Sequence, residues 1–391
     1  MLPNDDQSSL QEAARRFARS RLLPTYMQRE KDAKEDKPTD RALLREMGTL
    51  GLLGVDVATE HGGLGVDGVT TGLIVEELAY GDFNISAIVL VMSLCGAIIA
   101  KNAAPTVAAE WLPRIPRGDA ILALSITEPG VGSDAGALKL QATRDGDSYV
   151  LNGEKASTTY CDCADAFLVF ARTGSVEQGA RGVTAFLVPA ATPGITTTRY
   201  RDVGSHMAGR GSVFFDQVRV PADHRLGDEG KGFSQVMAGF DYSRALIALQ
   251  CLGAAQASLD EAWAYTKERE AFGGPIARFQ GVSFPLVEGE TQVAAARQLS
   301  YHALALRDAG QAHTVEAAMV KWLAPRTAFD VIHQCLLTFG HYGWTMDLPH
   351  QQRMRDVMGL EIGDGTAGIM KMIVARARAG RAATEERGTV A

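Results

Sequence analysis

The chain has 391 residues, 46% hydrophobic and 22% charged, which is the balance of a globular protein of two or three domains at roughly 150 residues each and excludes a disordered, fibrous or small stapled chain. A formal net charge of -7, with no long block of lysine and arginine, leaves nucleic acid without an electrostatic footprint. The acidic start, Met1-Leu2-Pro3-Asn4-Asp5-Asp6, is unlike the basic and then apolar start of a signal peptide, so a cytoplasmic location is expected.

In chain order, the pattern is helical from Ser9 to about Arg117. Apolar residues recur at Leu10, Ala13, Phe17 and Leu22, then at Leu43, Leu44, Met47 and Leu50. They return at Leu73, Val75 and Leu78 after a glycine loop at His61-Gly62-Gly63. The uncharged run Ile85 to Ala100 falls short of the roughly 20 residues a spanning helix needs, so it reads as a buried helix with no membrane insertion. From Ile121 to Arg225 short runs alternate with Gly, Asp and Pro turns: Tyr149 to Leu151, Ala166 to Phe170, Thr184 to Val188 and Val213 to Phe215 read as strands. Helical periods then return over Phe233 to Glu268, Phe279 to Gly310, His313 to Phe339 and Gly363 to Arg381. The expected architecture is α+β and multidomain: a helical domain over 1–118, a β barrel or sandwich over 119–228 and a four-helix bundle over 229–391. Ala382 to Ala391 reads as a frayed tail, and Arg376, Arg378 and Arg381 as a solvated helix end. The cysteines Cys95, Cys161, Cys163, Cys251 and Cys335 lack metal spacing and are expected to be reduced thiols.

Two segments carry chemistry. Thr127-Glu128-Pro129-Gly130-Val131-Gly132-Ser133-Asp134 leaves a strand for a glycine-rich turn, where backbone can approach a ligand closely. Ile362-Gly363-Asp364-Gly365-Thr366 precedes an apolar stretch, Ile369 through Val374. Alone, the first is any polar loop and the second holds an ordinary turn aspartate. Together, with Asn152-Gly153-Glu154-Lys155 and Thr158-Thr159 between them, they resemble the paired signatures of the acyl-CoA dehydrogenase family. The resemblance extends over the whole layout.

That resemblance implies FAD as cofactor. It assigns Thr127 and Ser133 to the flavin or the pantetheine arm of the substrate, and Thr159 to the reactive edge of the isoalloxazine, where a donor stabilises added electron density. Arg269-Glu270-Ala271-Phe272-Gly273 with Gln280 resembles the segment that reaches FAD across a subunit interface, the forked guanidinium of Arg269 meeting the pyrophosphate. Phe339-Gly340-His341-Tyr342-Gly343-Trp344 resembles a further flavin segment through Gly340, and Thr366 joins the same set. Ser157 stands where many members have a tryptophan, and Leu337 where a glutamine is common. A homotetramer, with an electron-transfer flavoprotein as acceptor, is implied.

Asp364 occupies the place of the glutamate in the family's Ile-Tyr-Glu-Gly-Thr, and Gly363 that of its aromatic neighbour. Members without that base carry a glutamate before an arginine on an earlier helix. Here that step is Ser243-Arg244, and a serine cannot abstract the proton, which leaves Asp364. Arg244 reads either as a support for base and thioester or as a helix ion pair. Phe240 and Asp241 are assigned to the CoA arm, Gly363 and Gly365 to the acyl group, and the Asp364 amide to the thioester oxygen. Ile85, Ala87, Ile88, Val89, Leu90 and Val91 offer no arginine for a second carboxylate, so an uncharged acyl group is expected. An aspartate base resembles the alicyclic branch, which converts cyclohexane-1-carboxyl-CoA to cyclohex-1-ene-1-carboxyl-CoA. A short or branched acyl-CoA, or an acyl carrier protein thioester, is the alternative. Nitroalkane oxidases share the fold and an aspartate base, but carry an arginine further along the helix where this chain has Lys371.

Overall fold

The structure, a computed structural model, describes residues 3–34 and 39–380. Met1, Leu2, Arg381 and the stretch Ala382 to Ala391 lie outside the described residues.

Six α-helices come first: α1 (Asp5–Phe17), α2 (Tyr26–Lys34), α3 (Arg41–Thr49), α4 (Gly68–Gly81), α5 (Phe83–Asn102) and α6 (Pro105–Trp111). Their starts carry the expected chemistry. Asn4 caps α1 in a reciprocal box with Gln7, and the Asp82 side chain accepts from the Asn84 and Ile85 amides at the head of α5. At 20 residues α5 is longer than the run read from sequence, because Phe83, Asn84, Lys101 and Asn102 extend it. It is the helix among the described residues that is long and apolar enough to cross a membrane, yet 78% of its most apolar window is buried inside the protein. It is a core helix.

The middle region is one mixed sheet of β1 (Leu122–Ser125), β2 (Gln141–Asp145), β3 (Ser148–Thr158), β4 (Ala166–Arg172), β5 (Val183–Pro189), β6 (Ile195–Arg199), β7 (Gly211–Pro221) and β8 (Arg225–Leu226), in the order β6-β7-β3-β2-β4-β5-β8. β1 lies parallel to β4, with Leu122 opposite Ala166. The runs read as strands fall inside β3, β4, β5 and β7. The sheet's own core of Phe167, Val169, Phe186, Val188, Val213 and Phe215 comes from alternate residues on facing strands.

The chain then returns to helices: α7 (Gly232–Glu268), α8 (Gln280–Asp308), α9 (Thr314–Thr338), α10 (His350–Met358) and α11 (Ala367–Ala379). α7, α8 and α9 pack on one another, α11 packs on α9, and α7 is also covered by α4 and α5. Two findings differ from the sequence reading. The last helix starts at Ala367 rather than Gly363, because Asp364 and Gly365 take positive φ and Thr366 supplies the cap. The short polar helix α10 was not anticipated. It buries Arg353, paired to Glu261 through both guanidinium nitrogens at 2.7 and 2.9 Å, and Asp356, which accepts from Tyr26 Oη at 2.6 Å, Asn84 Nδ2 at 3.0 Å and the Ser205 amide. Burial lifts Asp356 to about 6. These bonds join all three regions at the base of the segment that carries Asp364.

Candidate active site

After α10 the chain makes a short turn, Gly359–Glu361, and then the loop Ile362 to Thr366. Asp364 sits at φ 54° and Gly365 at φ 107°. Aspartate is one of the few non-glycine residues that enter the left-handed region readily, because its short polar side chain avoids the clash of longer ones. A Cβ placed on Gly365 would run into Met370, whereas one on Gly363 would lie 3.6 Å from Leu360 and meet nothing closer. At Gly363 the Leu360 side chain and the Gly359 carbonyl oxygen stand at ordinary contact distance from where a Cβ would be, 3.6 and 3.7 Å, so the position is neither crowded nor an empty void.

Three helices converge on this loop. From α7, Ser243 Oγ donates to Asp364 Oδ2 at 2.9 Å, and Arg244 Nε donates to the Asp364 carbonyl at 3.3 Å. Arg244 also pairs with Asp241, three residues back on α7, at 2.9 Å and lies over the Phe240 ring, so the ion pair it makes is within one helix rather than between two. Asp241 is further engaged by Thr314 Oγ1 at 2.6 Å; the structure places this predicted CoA contact in a bridge between α7 and α9. From α9, the fully buried Lys321 donates to the Leu360 and Gly365 carbonyls at 2.6 and 3.1 Å, gripping the loop on either side of Asp364. Burial pulls its ammonium down to about 8 against the attraction of Asp364. From α5, the Cys95 thiol is pushed far up by burial, with the Asp364 charge adding to it. Cys95 thus lies on a turn of α5 within electrostatic range of Asp364, one turn beyond the Ile85 to Val91 stretch expected to line the acyl group. Leu94 and Ile98 meet Gly239 of α7 beside it.

The sequence reading passed over Lys321 and dismissed Ser243. A lysine inside the apolar run Ala317 to Ala324 was the available signal for the first, since a buried ammonium must find acceptors. None existed for the second, because the two partners lie 121 positions apart.

The predicted flavin residues fall into two groups. Thr127 and Thr159 are brought together where β1 meets the end of β3: the Ala156 amide donates to the Thr127 carbonyl at 2.8 Å, and Ser125 and Thr158 hydroxyls lie 3.0 Å apart. A bulge between Lys155 and Thr158, with Ser157 at φ 58°, turns the strand end. Glu128 pins the loop that follows by accepting from the Lys139 and Leu140 amides at 2.7 and 2.8 Å and from buried Lys155 at 2.8 Å. The hydroxyls of Thr127, Ser133 and Thr159 have no protein partner among the described residues, and a Cβ on Gly130 or Gly132 would meet nothing within 4 Å. This open cradle of free donors fits a flavin and a phosphopantetheine arm. α5 runs from it toward the Asp364 loop: Tyr160 donates to the Asn84 carbonyl on its first turn, and the Asp364 charge is felt at Cys95 further along. At the position lacking tryptophan, Ser157 accepts from Arg210, itself held by Asp202.

The second group, Arg269, Phe272, Gln280 and Gly340, lies on the outer surface of the helical bundle, Phe272 being 91% exposed. Trp344 nearby in sequence to Gly340 is 89% exposed. These residues do not join the Asp364 loop within one chain. Thr366 spends its hydroxyl on the α11 cap, accepting from the Ile369 amide at 3.4 Å.

An α–β–α chain with a carboxylate loop between two helices and a polar cradle at the sheet edge is the frame of a flavin-dependent carbon-acid oxidoreductase. The chain matches the family models Acyl-CoA dehydrogenase, N-terminal domain over 4–119, middle domain over 123–218 and C-terminal domain over 230–378. It is 36% identical over 376 residues to the mitochondrial short-chain specific acyl-CoA dehydrogenase of Rattus norvegicus, covering 96% of this chain and 90% of that one. Among solved structures it resembles butyryl-CoA dehydrogenase from Megasphaera elsdenii, with TM-score 0.92, 33% identity and coverage of 97% and 99%. It also resembles a glutaryl-CoA dehydrogenase from Mycobacterium smegmatis in complex with FADH2, with TM-score 0.90, 28% identity and coverage of 97% and 96%. The chain belongs to the acyl-CoA dehydrogenase family, and it is an FAD-dependent acyl-CoA dehydrogenase.

Proposed function

We propose that the protein removes the α-proton and β-hydrogen of a compact, uncharged acyl-CoA with Asp364 as base, cyclohexane-1-carboxyl-CoA being the first candidate. The observation that carries this reading is the Asp364 loop itself: a short carboxylate aimed from a left-handed turn, with no side chain at Gly363 next to it in the chain. A ring with a tertiary α-hydrogen brings bulk next to the base, and both features make space for it. A short straight or branched acyl-CoA is the second reading, supported by the likeness to the short-chain enzyme of rat and the butyryl-CoA enzyme of M. elsdenii. The nitroalkane alternative has less support, since Lys371 lies over the Trp322 ring rather than facing the base.

In the reaction Asp364 accepts the α-proton, and the electron pair of the broken C–H bond becomes the α,β double bond as the β-hydrogen leaves with its own pair. FAD supplies, when bound, the acceptor for that hydride. The Asp364 amide would polarise the thioester oxygen, and Thr127, Ser133 and Thr159 would hold the flavin and the pantetheine arm. Arg269, Phe272, Gln280 and Gly340 would complete a neighbouring subunit's site in a homotetramer, with an electron-transfer flavoprotein taking the electrons onward.

Anaerobic bleaching of the flavin, titrated with cyclohexanecarboxyl-CoA beside butyryl-, isobutyryl- and octanoyl-CoA, tests the substrate. Bleaching by the ring thioester alone supports the first candidate, and preference for a chain substrate replaces it with the second. Asp364→Asn is expected to keep its flavin and lose turnover by about two to four orders of magnitude. Near-normal turnover of that variant would end the assignment of the base.

A further inference from the structure

Ser243 is fully buried in α7, and its hydroxyl has two acceptors within reach: Asp364 Oδ2 at 2.9 Å and, one turn back on its own helix, the Phe240 carbonyl at 3.3 Å. A hydroxyl holds one proton to donate and has lone pairs with which to accept, so it serves one of these acceptors at a time. While Asp364 is ionised the carboxylate is the stronger claimant, because a hydrogen bond to a charged acceptor is worth roughly twice a neutral one. Once Asp364 carries a proton, it becomes a donor. Ser243 Oγ can then accept from it while its own hydrogen turns to Phe240.

The other groups facing Asp364 are committed elsewhere. Arg244 of α7 is bonded to the Asp364 carbonyl and to Asp241, and Lys321 of α9 to the Leu360 and Gly365 carbonyls. Cys95 of α5 is a buried thiol, and Glu361 lies in the preceding turn with its charge felt by Lys321. Among the described residues Ser243 is the donor to the carboxylate oxygens of Asp364.

We propose that Ser243 is the positioning residue of the base, holding the Asp364 carboxylate on target while it is charged and accepting its hydrogen bond after the substrate proton has been taken. The inference rests on Asp364 being the base. It explains how a side chain one methylene shorter than glutamate is held at a fixed orientation: α7 reaches toward it with a hydroxyl. Ser243 itself makes and breaks no covalent bond to carbon: the proton gained by Asp364 is the one lost by the α-carbon, and the β-hydrogen leaves with its own electron pair as in the reaction above.

The test compares Ser243→Ala, Ser243→Thr, Ser243→Cys and Asp364→Asn in the flavin-loaded enzyme, with butyryl-CoA and cyclohexanecarboxyl-CoA as probes. Readouts are kcat and KM against pH with a dye acceptor, and anaerobic exchange of the substrate α-proton with D2O. Loss of a hydrogen bond to a charged group predicts that Ser243→Ala lowers kcat and the exchange rate about 10- to 100-fold while KM changes less than about threefold. Ser243→Thr, which keeps the hydroxyl, restores most of the rate, and Ser243→Cys, a weak donor of nearly the same size, resembles Ala. A Ser243→Ala profile that superimposes on the wild type, or a threonine variant no better than alanine, overturns the proposal. If Asp364→Asn is inactive in those same assays, that outcome removes the role of Ser243 alone. If Asp364→Asn turns over normally, the assignment of the base falls with it.

Discussion

Replacing Lys155 with methionine tests how the cradle at the sheet edge is held. Methionine keeps most of the lysine stem's volume and deletes the ammonium, which donates to Glu128 Oε1 at 2.8 Å and to the Ile126 carbonyl at 2.9 Å. Glu128 keeps its two amide donors from Lys139 and Leu140 but is left as a buried charge without its ion-pair partner. The cost has a ceiling, because the carboxyl can take up a proton instead. Protonating a carboxyl of ordinary value near 4.3 at pH 7 costs about 3.7 kcal/mol, at about 1.4 kcal/mol per pH unit. Leaving the Ile126 carbonyl without its donor adds about 1 kcal/mol. The sum, about 3 to 5 kcal/mol, matches what breaking a buried pair costs.

A second substitution separates this account from a packing defect. Urea unfolding of variant and wild type at pH 7.5 should show a gap of about 3 to 5 kcal/mol. Adding Glu128→Gln removes the unpaired carboxylate and should recover about 2 kcal/mol or more, as expected of contacting residues in one network. A destabilisation under about 1 kcal/mol at pH 7.5, or a double variant no more stable than Lys155→Met, would refute the reasoning.

His350 is buried beside Phe339, and burial pulls it to about 4, so it is neutral in the folded protein. The unfolded chain binds its proton from about 6.5 downward, hence stability should fall by up to about 3 kcal/mol between pH 6.5 and 4. His350→Phe should flatten that part of a stability profile followed by urea midpoint. Lys321→Met should leave the Leu360 and Gly365 carbonyls unpaired, costing about 2 to 4 kcal/mol and lowering the rate of flavin bleaching about tenfold, while bound flavin stays at the wild-type amount. Gly81→Ala should destabilise by about 1 to 3 kcal/mol in thermal unfolding, since the new Cβ would lie 2.5 Å from the Ala18 carbonyl oxygen, a backbone atom that cannot swing away.

What the sequence disclosed follows from which forces leave a local trace. The order of helical and β regions was legible because apolar periodicity and turn residues are set within a few positions. α10 was not legible, because its burial is polar. Arg353 and Asp356 look like surface residues until Glu261, Tyr26 and Asn84, each far away in the chain, are brought to meet them. Asp364 could be found by its glycine-flanked motif, but its partners could not: Ser243 and Lys321 acquire their roles only when α7 and α9 pack against the loop. Arg269, Phe272, Gln280 and Gly340 were read from motifs as flavin residues, and within one chain they stand on the outer face of the bundle.

The left-handed turn at Asp364 links the proposed base to the rest of the loop. A glutamate at φ 54° would carry its carboxylate one methylene further from the same backbone position. The aspartate ends where Ser243 on α7 meets it at 2.9 Å. Lys321 and Arg244 act on carbonyls rather than on the carboxylate. The loop is thus held by cations while the carboxylate is held by a neutral donor. For the proposed base that division matters, because a direct ion pair would stabilise the carboxylate and weaken it as a proton acceptor.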